Sequence, residues 1–173
     1  APAGFWEEAP SVCAGRDLEA GGSWLGISSE RRFAALTNYR DGLKARPGAP
    51  SRGALVANFL TGALSPDEYL SALVARAPAY HGFNLLVSDG ERLGYFSNRA
   101  PEESGYRWLE PGIYGLSNHL LDTPWPKLSA AKTAFATALD TLPQNDDFFT
   151  LLADDEVFPD ALLPDTGVPP HWE

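Results

Sequence analysis

The feature of this sequence that most constrains its fold is a pair of apolar runs joined by an Asp-Gly step. Residues 83–88 and 92–98 flank Asp89-Gly90, and Asp-Gly between two such runs is typical of a tight β-hairpin turn. Residues 22–29 and 32–40 form a second pair, joined by a short polar connection. Because hairpins link antiparallel strands, the sequence predicts antiparallel sheet structure.

Two helices are predicted between these strand pairs. Ser65 is suited to be an N-cap, Pro66 to occupy the first helical position, and Glu68 to close a capping box with Ser65. Residues 51–60, upstream, carry apolar side chains at helical spacing and predict the other helix. The apolar residues expected to be buried in these two helices are Leu55, Val56, Phe59, Leu60, Leu70, Leu73 and Val74.

Two further segments are interpreted from their turn-forming residues. Residues 1–21 are rich in Ala, Pro and Gly and are predicted to form a loop. Residues 107–118 are predicted to form a strand region that is interrupted at Pro111-Gly112.

The last part of the chain predicts helices. Residues 126–142 predict one helix, and a short helix follows at about 148–152. The longer helix is expected to bury Leu128, Ala131, Phe135, Ala138, Leu139 and Leu142. The order of all these elements predicts a single α+β domain over residues 1–173, with an acidic, proline-containing region at about 143–173.

Acidic residues are concentrated after Lys132. The chain has a formal net charge of −10, and nine of its 23 Asp and Glu residues lie beyond Lys132, where no Lys or Arg occurs. A protein with this charge is not expected to bind nucleic acid or an anionic membrane. A solvated acidic surface explains the cluster without any function.

The sequence also indicates in which cellular compartment the protein is expected. No apolar run approaches the roughly 20 residues needed to cross a bilayer, and the N-terminus does not resemble a signal peptide. Cys13 is the single cysteine, which excludes an internal disulfide and favours a reducing compartment. We therefore expect a cytoplasmic protein without a membrane span, and the sequence leaves its oligomeric state open.

Conventional catalytic motifs do not occur in the sequence. There is no G-x-S-x-G nucleophile elbow, and the histidines are His81, His119 and His171. His119 follows Asn118 directly, and it could act as a base or be a histidine bonded within a loop. Cys13, with apolar neighbours on both sides, is expected to be a small buried residue rather than a reactive thiol. The acidic clusters lack calcium-loop spacing, so no metal site is predicted.

Two asparagines stand at the ends of apolar runs. Asn38 closes RFAALTN and Asn118 closes GIYGLSN. A carboxamide at a strand end can donate a hydrogen bond to a developing oxyanion without titrating. Asparagine is also frequent in turns, because it tolerates left-handed backbone. Both interpretations remain open from the residues alone.

Six segments of the chain, taken together, resemble a known protein family. In order they are AGRDLEAGGSWLG, RFAALTNYRD, PSRGALVANFL, YHGFNLLVSD, YFSNR and YGLSNHLLDTPWPK. Together they closely resemble the NRDE-motif family, also called the transport and Golgi organisation protein two family, over most of residues 5–165. The resemblance implies an N-terminal nucleophile (Ntn) hydrolase-like fold, an αββα sandwich of two antiparallel sheets flanked by helices.

The resemblance also implies a mechanism. Members of the family begin Met-Cys, and removal of the Met would leave a cysteine that supplies both the thiol nucleophile and an α-amino base. These 173 residues contain neither that start nor the Asn-Arg-Asp-Glu block nor a final strand region of the family. We therefore expect the chain to be an incomplete copy of the domain. Cys13 does not match the family nucleophile.

Site residues are implied by the matching segments. The resemblance implies Asn38 as an oxyanion donor and Asn118 as its neighbour, with both amides converging on one cavity. Other candidates, for substrate binding, are Arg16, Asp17, Trp24, Arg40, Arg52, Asn84, His119, Asp122, Trp125 and Lys127. The charged members of this set could equally form structural ion pairs. Trp24 and Trp125 could equally be core aromatics.

Two functions follow from the resemblance. The first is an Ntn-type amidohydrolase acting on a non-peptide carbon–nitrogen bond of a small molecule, without a cofactor. The alternative is a non-catalytic protein that binds and traffics haem or a lipid-like acyl ligand, with His81 or His119 as an iron ligand. Neither histidine lies in a recognised haem motif. A pure protein-interaction platform is a third interpretation, for which no feature argues.

Overall fold

The structure, a computed structural model, contains two compact units. It describes residues 1–43, 46–101 and 105–168. The first unit consists of Ala1–Tyr39 and Lys44–Glu110, and the second of Arg40–Leu43 and Pro111–Glu173.

The first unit is built on an antiparallel sheet of seven strands. The order of the strands in the sheet follows the chain, so each strand pairs with its neighbours in sequence. The strands are β1 (Gly4–Trp6), β2 (Ala9–Ala14), β3 (Leu25–Ser28), β4 (Phe33–Asn38), β5 (Phe83–Ser88), β6 (Leu93–Ser97) and β7 (Tyr106–Leu109). The predicted Asp-Gly turn joins β5 to β6, and Gly90 has a φ of 88°, which glycine adopts readily.

Two helices cover one face of this sheet. Helix α1 (Gly53–Thr61) contacts β2, β3 and β4, and α2 (Pro66–Val74) contacts β6 and β7. Glycines let the helices approach: a Cβ on Gly26 would lie 2.7 Å from Leu60 Cδ1, and a Cβ on Gly94 would lie 2.6 Å from Leu70 Cδ1. The core between sheet and helices includes Val12, Ala34, Leu55, Val56, Phe59, Leu70, Leu73, Leu85 and Val87, all buried.

The start of α2 is set by the predicted capping box. The Ser65 hydroxyl accepts from the Glu68 backbone N–H, and the Glu68 carboxylate accepts from the Ser65 N–H at 2.9 Å. Hydrogen bonds from the side chain and backbone of Ser65 lower the pKa of Glu68. Each bond satisfies a donor at the helix N-terminus, so the capping box fixes the residue at which α2 begins.

Arg32 connects the sheet to the end of α1. It is buried, its Nε donates to Phe59 O at 3.0 Å, and its Nη2 donates to Leu64 O at 2.7 Å. Its guanidinium lies 4.0 Å from the centroid of the Phe59 ring. Burial lowers the pKa of Arg32, yet a guanidinium stays charged in proteins. Arg32 therefore places a cation and a donor at the last turn of α1 and gives a second donor to the connection between α1 and α2.

Replacing Arg32 by Ala is expected to destabilise the first unit by about 2–4 kcal/mol, because two carbonyl groups lose their donors. Urea denaturation followed by far-UV circular dichroism measures this change. Arg92→Ala is the matched control, because Arg92 is exposed and lies 3.9 Å from the Trp108 ring centroid. Its loss should cost under about 1 kcal/mol. Equal costs for the two variants would contradict the role given to Arg32.

Tyr69 joins α2 to α1. Its hydroxyl donates to Leu55 O at 2.7 Å, and its ring meets Phe59 edge-on with centroids 5.2 Å apart. Burial raises the pKa of Tyr69 from 10.0 to about 12. The folded state therefore favours the neutral phenol, and this contribution to stability is complete below pH 10 and lost as the pH rises through about 12.

The free energy of unfolding is expected to fall by about 2 kcal/mol between roughly pH 9.5 and pH 12 because of Tyr69. In Tyr69→Phe, which cannot ionise, this part of the alkaline loss should vanish. Denaturant midpoints measured across this pH range test the expectation. A Tyr69→Phe protein with the wild-type slope would show that Tyr69 does not titrate as proposed.

The second unit is helical in its latter part. Helix α3 (Pro126–Leu139) begins with Pro126 at its first position, which is a favoured place for proline. Helix α4 (Asp146–Leu152) follows, and then a 3₁₀ turn at Asp160–Leu162. Phe135 of α3 meets Phe148 of α4 edge-on, with ring centroids 5.4 Å apart. This aromatic contact holds the two helices together.

Several predictions are confirmed. The protein has the α+β class, and its described residues form an antiparallel sheet and four α-helices. The structure contains both hairpins and the α2 capping box. It also contains the helices predicted near 51–60, 126–142 and 148–152, although their first and last residues differ from the predicted ones. No helix in the described parts of the chain is long and apolar enough to cross a membrane. The two-sheet Ntn sandwich and the single-domain organisation stay predictions.

The loop predicted for residues 1–21 is wrong in part, because β1 and β2 form a hairpin there. In β2 the side chains of Val12 and Ala14 are buried and Cys13 between them is half-buried. Trp6 closes the hairpin, since its Nε1 donates to Ala14 O at 3.3 Å. The strands were not predicted because the segment is rich in proline and glycine and its alternation of buried and exposed residues is short. Cys13 is half-buried and not the buried residue that was predicted.

Three other predictions are corrected. The strand predicted for 107–118 ends at Leu109, since Pro111-Gly112 cannot continue it. Val74 is 44% exposed at the end of α2. Helix α3 ends at Leu139 and is less buried than predicted: Phe135, Leu139 and Leu142 are exposed. An apolar stripe identifies side chains that can be buried, but not whether another element covers them.

Candidate ligand-binding site

A cavity of about 420 Å³ lies in the second unit. It is formed by the segment that precedes α3, by α3 itself and by single residues of the 40–43 segment and of α4. Its apolar wall consists mainly of Ile113, Tyr114, Leu116, Leu128, Phe135 and Leu151. Pockets of about 300–1,000 Å³ with apolar walls are the usual sites for small molecules, so this cavity is the candidate site.

The loop beside the cavity is closed by Gly115 and Asp122. Gly115 N donates to Asp122 Oδ1 at 2.8 Å, and Asp122 N donates to Gly115 O at 2.8 Å. Asp122 has a φ of 61°, a left-handed conformation that Asp tolerates better than most residues. The same Oδ1 accepts from Lys132 Nζ at 2.6 Å. Asp122 therefore fixes both the loop and a lysine of α3.

Leu128 depends on the absence of a side chain at position 115. A Cβ on Gly115 would lie 2.4 Å from Leu128 Cδ2 and 2.6 Å from Leu128 Cγ. Such contacts are far inside van der Waals distance, so the glycine allows α3 to lie against the loop. Leu128 also lines the cavity. The local sequence Gly115-Leu116 thus determines the shape of the cavity wall.

Three cations line the cavity: Arg40, Lys127 and Lys132. Lys132 is paired with Asp122, and Lys127 Nζ donates to the Asp154 carbonyl at 3.2 Å. None of the described residues that line the cavity is acidic. Because the whole chain carries a net charge of −10, this concentration of positive side chains favours a negatively charged group in the cavity.

Trp125 lines the cavity and is supported by His119. Their ring centroids are 5.8 Å apart. His119 Nδ1 lies 2.8 Å from Thr123 Oγ1, and the Thr123 hydroxyl donates to Leu120 O at 2.7 Å. Because a hydroxyl has one proton, the His119 Nδ1–H is the donor to Thr123. His119 thus orders the loop around Trp125 and is not among the described cavity-lining residues.

The two predicted asparagines belong to different units. Asn38 is the last residue of β4, and its side chain is exposed. Asn118 is half-buried in the second unit, where its carbonyl accepts from Arg40 N at 2.6 Å. This bond joins the 40–43 segment to the cavity loop. That the two amides converge on one cavity stays a prediction.

Asn84 has a structural position in the first unit. It is fully buried on β5, its Nδ2 donates to Thr37 Oγ1 at 3.1 Å, and its Oδ1 accepts from Tyr95 Oη at 2.8 Å. Thr37 lies on β4 and Tyr95 on β6. Asn84 therefore links three adjacent strands, which explains a buried amide without a ligand.

Arg16 and Asp17 lie in the first unit, outside the candidate cavity. Arg16 pairs with Glu8 at 2.6 Å, and its guanidinium lies 4.2 Å from a Trp6 ring centroid. Asp17 Oδ1 accepts from the backbone of Glu19 and of Ala20, and these bonds lower the pKa of Asp17. Both residues thus make structural contacts in the first unit, and a role in substrate binding stays a prediction.

Arg52 and Trp24 also lie in the first unit. Arg52 Nη1 donates to Gly82 O at 2.8 Å, which joins the start of α1 to the chain before β5. Trp24 is 57% exposed, so the core interpretation is wrong for this residue. Its ring lies close to Gly15, since a Cβ there would be 3.5 Å from Trp24 Cζ2.

Sequence reasoning found part of the cavity and missed part. Arg40, Trp125 and Lys127, which were predicted as substrate-binding residues, line the cavity, and Asp122 pairs with Lys132. That these residues bind a substrate stays a prediction. Lys132 and the apolar wall were not predicted as site residues. A signal was present, because positions 127, 128, 131, 132 and 135 recur on one face of a helix. The apolar residues of that face, Leu128, Ala131 and Phe135, were interpreted only as core.

Histidine, cysteine and acidic side chains are the possible ligands of a metal ion or a haem iron in this chain. In the described parts of the chain there is no group of three or more His, Cys, Asp or Glu residues that could hold a metal ion. His81 Nε2 accepts from Arg46 N at 3.2 Å, so that nitrogen already has a partner. His171 lies outside the described residues. Cys13 is on β2 of the first unit.

Comparison with known proteins decides the family. The family model described as Transport and Golgi organisation 2 matches residues 1–173. The chain belongs to this family. The Transport and Golgi organization 2 homolog of Mus musculus is 38% identical to this chain over 177 residues. The Transport and Golgi organization protein 2 homolog of Bos taurus is 39% identical to it over 180 residues. The Homo sapiens homolog is 37% identical over 177 residues. Each match covers 96% of this chain and 63% of the relative.

Membership of the Transport and Golgi organisation 2 family confirms the resemblance that the six sequence segments indicated. The segment YGLSNHLLDTPWPK, residues 114–127, contributes Tyr114, Trp125 and Lys127 to the cavity. The chain spans 63% of the length of the curated relatives it matches. One of the six segments that carry the resemblance to the Transport and Golgi organisation 2 family therefore contributes side chains to the candidate site.

Replacing Gly115 by Ala is expected to destabilise the protein by about 1–3 kcal/mol, because the new Cβ would overlap Leu128. Denaturant unfolding of purified variants measures the loss. Gly112→Ala is the matched control: its Cβ would lie 3.3 Å from the Tyr114 ring, a contact that a small ring movement relieves. Its cost should be smaller.

The contact between positions 115 and 128 can be isolated with a double mutant. Gly115→Ala combined with Leu128→Ala should cost clearly less than the sum of the two single changes, because the overlap is removed. Additive costs would mean that Gly115 acts through its backbone conformation and not through Leu128.

Proposed function

We propose that the second unit binds a small amphipathic anion. The observation that carries this proposal is the combination of an apolar cavity with Arg40, Lys127 and Lys132 at its wall, in a chain whose net charge is −10. An apolar cavity alone fits many ligands, and surface cations alone bind anions weakly. Together they fit a molecule that has both an apolar body and an acidic group.

The apolar body of the ligand would contact the wall formed by Tyr114, Leu128 and Phe135. Phe135 and Tyr114 are each 38% exposed, so covering them with a ligand would remove apolar surface from water. The acidic group would lie near Lys127, whose Nζ donates to the uncharged backbone carbonyl of Asp154. A carboxylate or phosphate would be a stronger partner than that carbonyl.

An acyl-type ligand suits the cavity better than haem. The described residues that line the cavity include no histidine, cysteine or methionine, and Tyr114 is the lining side chain of a type that ligates haem iron. His119, whose Nδ1 is bonded to Thr123, is not among them, and the Nε2 of His81 accepts from Arg46 N. A long-chain fatty acid or a related acyl anion is therefore the proposed ligand class, and haem binding is the alternative that the experiment distinguishes.

We propose that the ligand is carried rather than chemically changed by this part of the protein. The single cysteine, Cys13, is on β2 of the first unit, and no serine nucleophile motif occurs. The family description and the names of the curated relatives contain the word transport, which supports a carrier role. A cytoplasmic location stays a prediction.

Lys127→Ala is expected to weaken binding of a long-chain fatty acid by roughly fivefold to tenfold, because the acid group loses a cation worth about 1 kcal/mol or slightly more. Titration of the purified chain followed by tryptophan fluorescence measures the dissociation constant, and Trp125→Phe identifies which indole reports. Arg76→Ala, at the exposed end of α2, is the charge-matched control and should not change affinity.

The methyl ester of the same fatty acid separates charge from apolar contact. Wild-type protein should bind the acid more tightly than the ester, and Lys127→Ala should bind the two nearly equally. Equal affinity of the wild type for acid and ester would overturn the role of the cations. A haemin Soret shift that disappears in His119→Ala, without fatty-acid binding, would favour the haem alternative.

Amide hydrolysis is the second function that we propose, for the protein of family length. The observation that favours it is the position of Asn38 at the end of β4. An amide donor fixed there could stabilise an oxyanion by about 3 kcal/mol once bound substrate excludes water from the site. The thiol nucleophile would come from an N-terminal cysteine, which these 173 residues do not contain. The substrate would carry a non-peptide carbon–nitrogen bond.

Hydrolysis can be tested on the intact gene product with a thiol-directed acyl electrophile. A mass increase confined to an N-terminal cysteine under mild conditions, slowed by Asn38→Ala, would support the proposal. Asn58→Ala is the control, since Asn58 is exposed on α1 and has no proposed role. If no terminal cysteine is labelled, the hydrolase proposal fails while the ligand-binding proposal stands.

A further inference from the structure

An acidic segment of the second unit is attached at both ends to parts of the chain that line the candidate cavity. The segment consists of residues 154–167, which follow α4, and is called the acidic strap. It contains no Lys or Arg. Its acidic residues are Asp154, Asp155, Glu156, Asp160 and Asp165.

The first attachment holds the start of the strap on α3. Lys127 Nζ donates to the backbone carbonyl of Asp154 at 3.2 Å, and Lys127 lines the cavity. Leu151, three residues before Asp154, also lines it. Asp154 Oδ1 accepts from the backbone N–H of Glu156 at 2.9 Å, which turns the chain directly after this attachment. The strap therefore begins at a cation of the cavity wall.

The second attachment holds the end of the strap on the 40–43 segment. Gly42 and Gly167 have φ values of 62° and 81°, in the left-handed region that glycine adopts readily. A Cβ on Gly42 would lie 2.6 Å from Gly167 O, so the two backbones pack directly against each other. Arg40, two residues before Gly42, lines the cavity. The strap therefore connects two segments that each supply a cavity cation.

The charge of the strap opposes that of the proposed ligand. Asp154, Asp155 and Glu156 are consecutive and exposed, and they follow directly on the contact with Lys127. Charges of like sign repel, and at physiological ionic strength this repulsion extends over about 8 Å. An anion that binds Lys127 must therefore replace the Asp154 carbonyl and also approach three carboxylates.

We propose that the acidic strap is an intramolecular competitor of the anionic ligand at Lys127. In the free protein the Asp154 carbonyl holds Lys127. When a carboxylate binds, its charge-assisted hydrogen bond replaces this contact, and the first attachment of the strap is released. The strap thus lowers the affinity of the cavity, and its own attachment reports whether the cavity is loaded. This inference rests on the proposed ligand-binding function and names how that site is regulated.

Neutral substitutions in the strap test the competition. The triple variant Asp154→Asn, Asp155→Asn, Glu156→Gln should bind a long-chain fatty acid about threefold to tenfold more tightly than wild type, because three like charges are removed from near the acid group. Its affinity for the methyl ester should change by less than about twofold, since the ester carries no charge. Titration of the full chain followed by tryptophan fluorescence measures both dissociation constants.

The matched control removes the same charge from the first unit. Glu7→Gln, Glu19→Gln and Glu91→Gln alter three exposed acidic residues of that unit. This second triple variant has the same net charge as the first, so a general effect of charge would appear in both. It should change neither affinity.

Hydrogen exchange tests release of the strap at Lys127. Saturating fatty acid should speed exchange of the Glu156 amide at least threefold, and the methyl ester should leave it unchanged. Lys127→Ala should produce a similar increase without ligand, because it also removes the contact with Asp154. Lys132→Ala is the control, since Lys132 pairs with Asp122 and not with the strap.

The outcomes separate this inference from the function on which it rests. Suppose that wild type binds the acid more tightly than the ester, but the strap variant gains no affinity or Glu156 exchange does not rise. The competition is then overturned and the ligand-binding proposal stands. An equal gain for acid and ester would show that the strap acts by its bulk, which also overturns it. If neither protein distinguishes acid from ester, the ligand-binding proposal fails and the competition fails with it.

Discussion

The alternation of side chains along the antiparallel strands is the constraint on which the first unit depends. Because each strand pairs with its sequence neighbours, one register decides which residues lie under the helices and which lie on the other face. That register brings Gly26 and Gly94 beneath large helix residues. It also sets Asn84 beside Thr37 and Tyr95, so a fully buried amide keeps its hydrogen bonds. A shift of one residue would lose both arrangements at once.

The second unit has a small core and a charged cavity. Ala138 is the buried apolar residue of α3, and the helix contacts α4 through Phe135 and the preceding loop through Leu128 and the Lys132–Asp122 pair. An exposed ion pair contributes little to stability. Its effect is instead to direct a cation toward the cavity, which connects the shape of the loop to the chemistry of the candidate site.

Local signals in the sequence predicted local structure well. The Asp89-Gly90 turn and the Ser65 cap are specified by residues within a few positions of one another, and both are present. Burial depends on partners that are distant in sequence, which explains why the exposure of Leu139 was not predicted. Arg40, Trp125 and Lys127 were predicted as site residues and line the cavity. Lys132 was not predicted, because the sequence does not show that the loop places the Asp122 carboxylate beside it.

The left-handed backbone at Asp122 leaves this position with few acceptable residues. Glycine would adopt the φ of 61° more easily, yet it would remove the oxygen that holds both Gly115 and the α3 lysine. Asparagine would keep an oxygen and the conformation, but it would leave the lysine without an opposite charge. Backbone conformation and electrostatics thus restrict the residue at position 122 independently. A substitution there would lose either the closure of the loop or the orientation of a cavity cation.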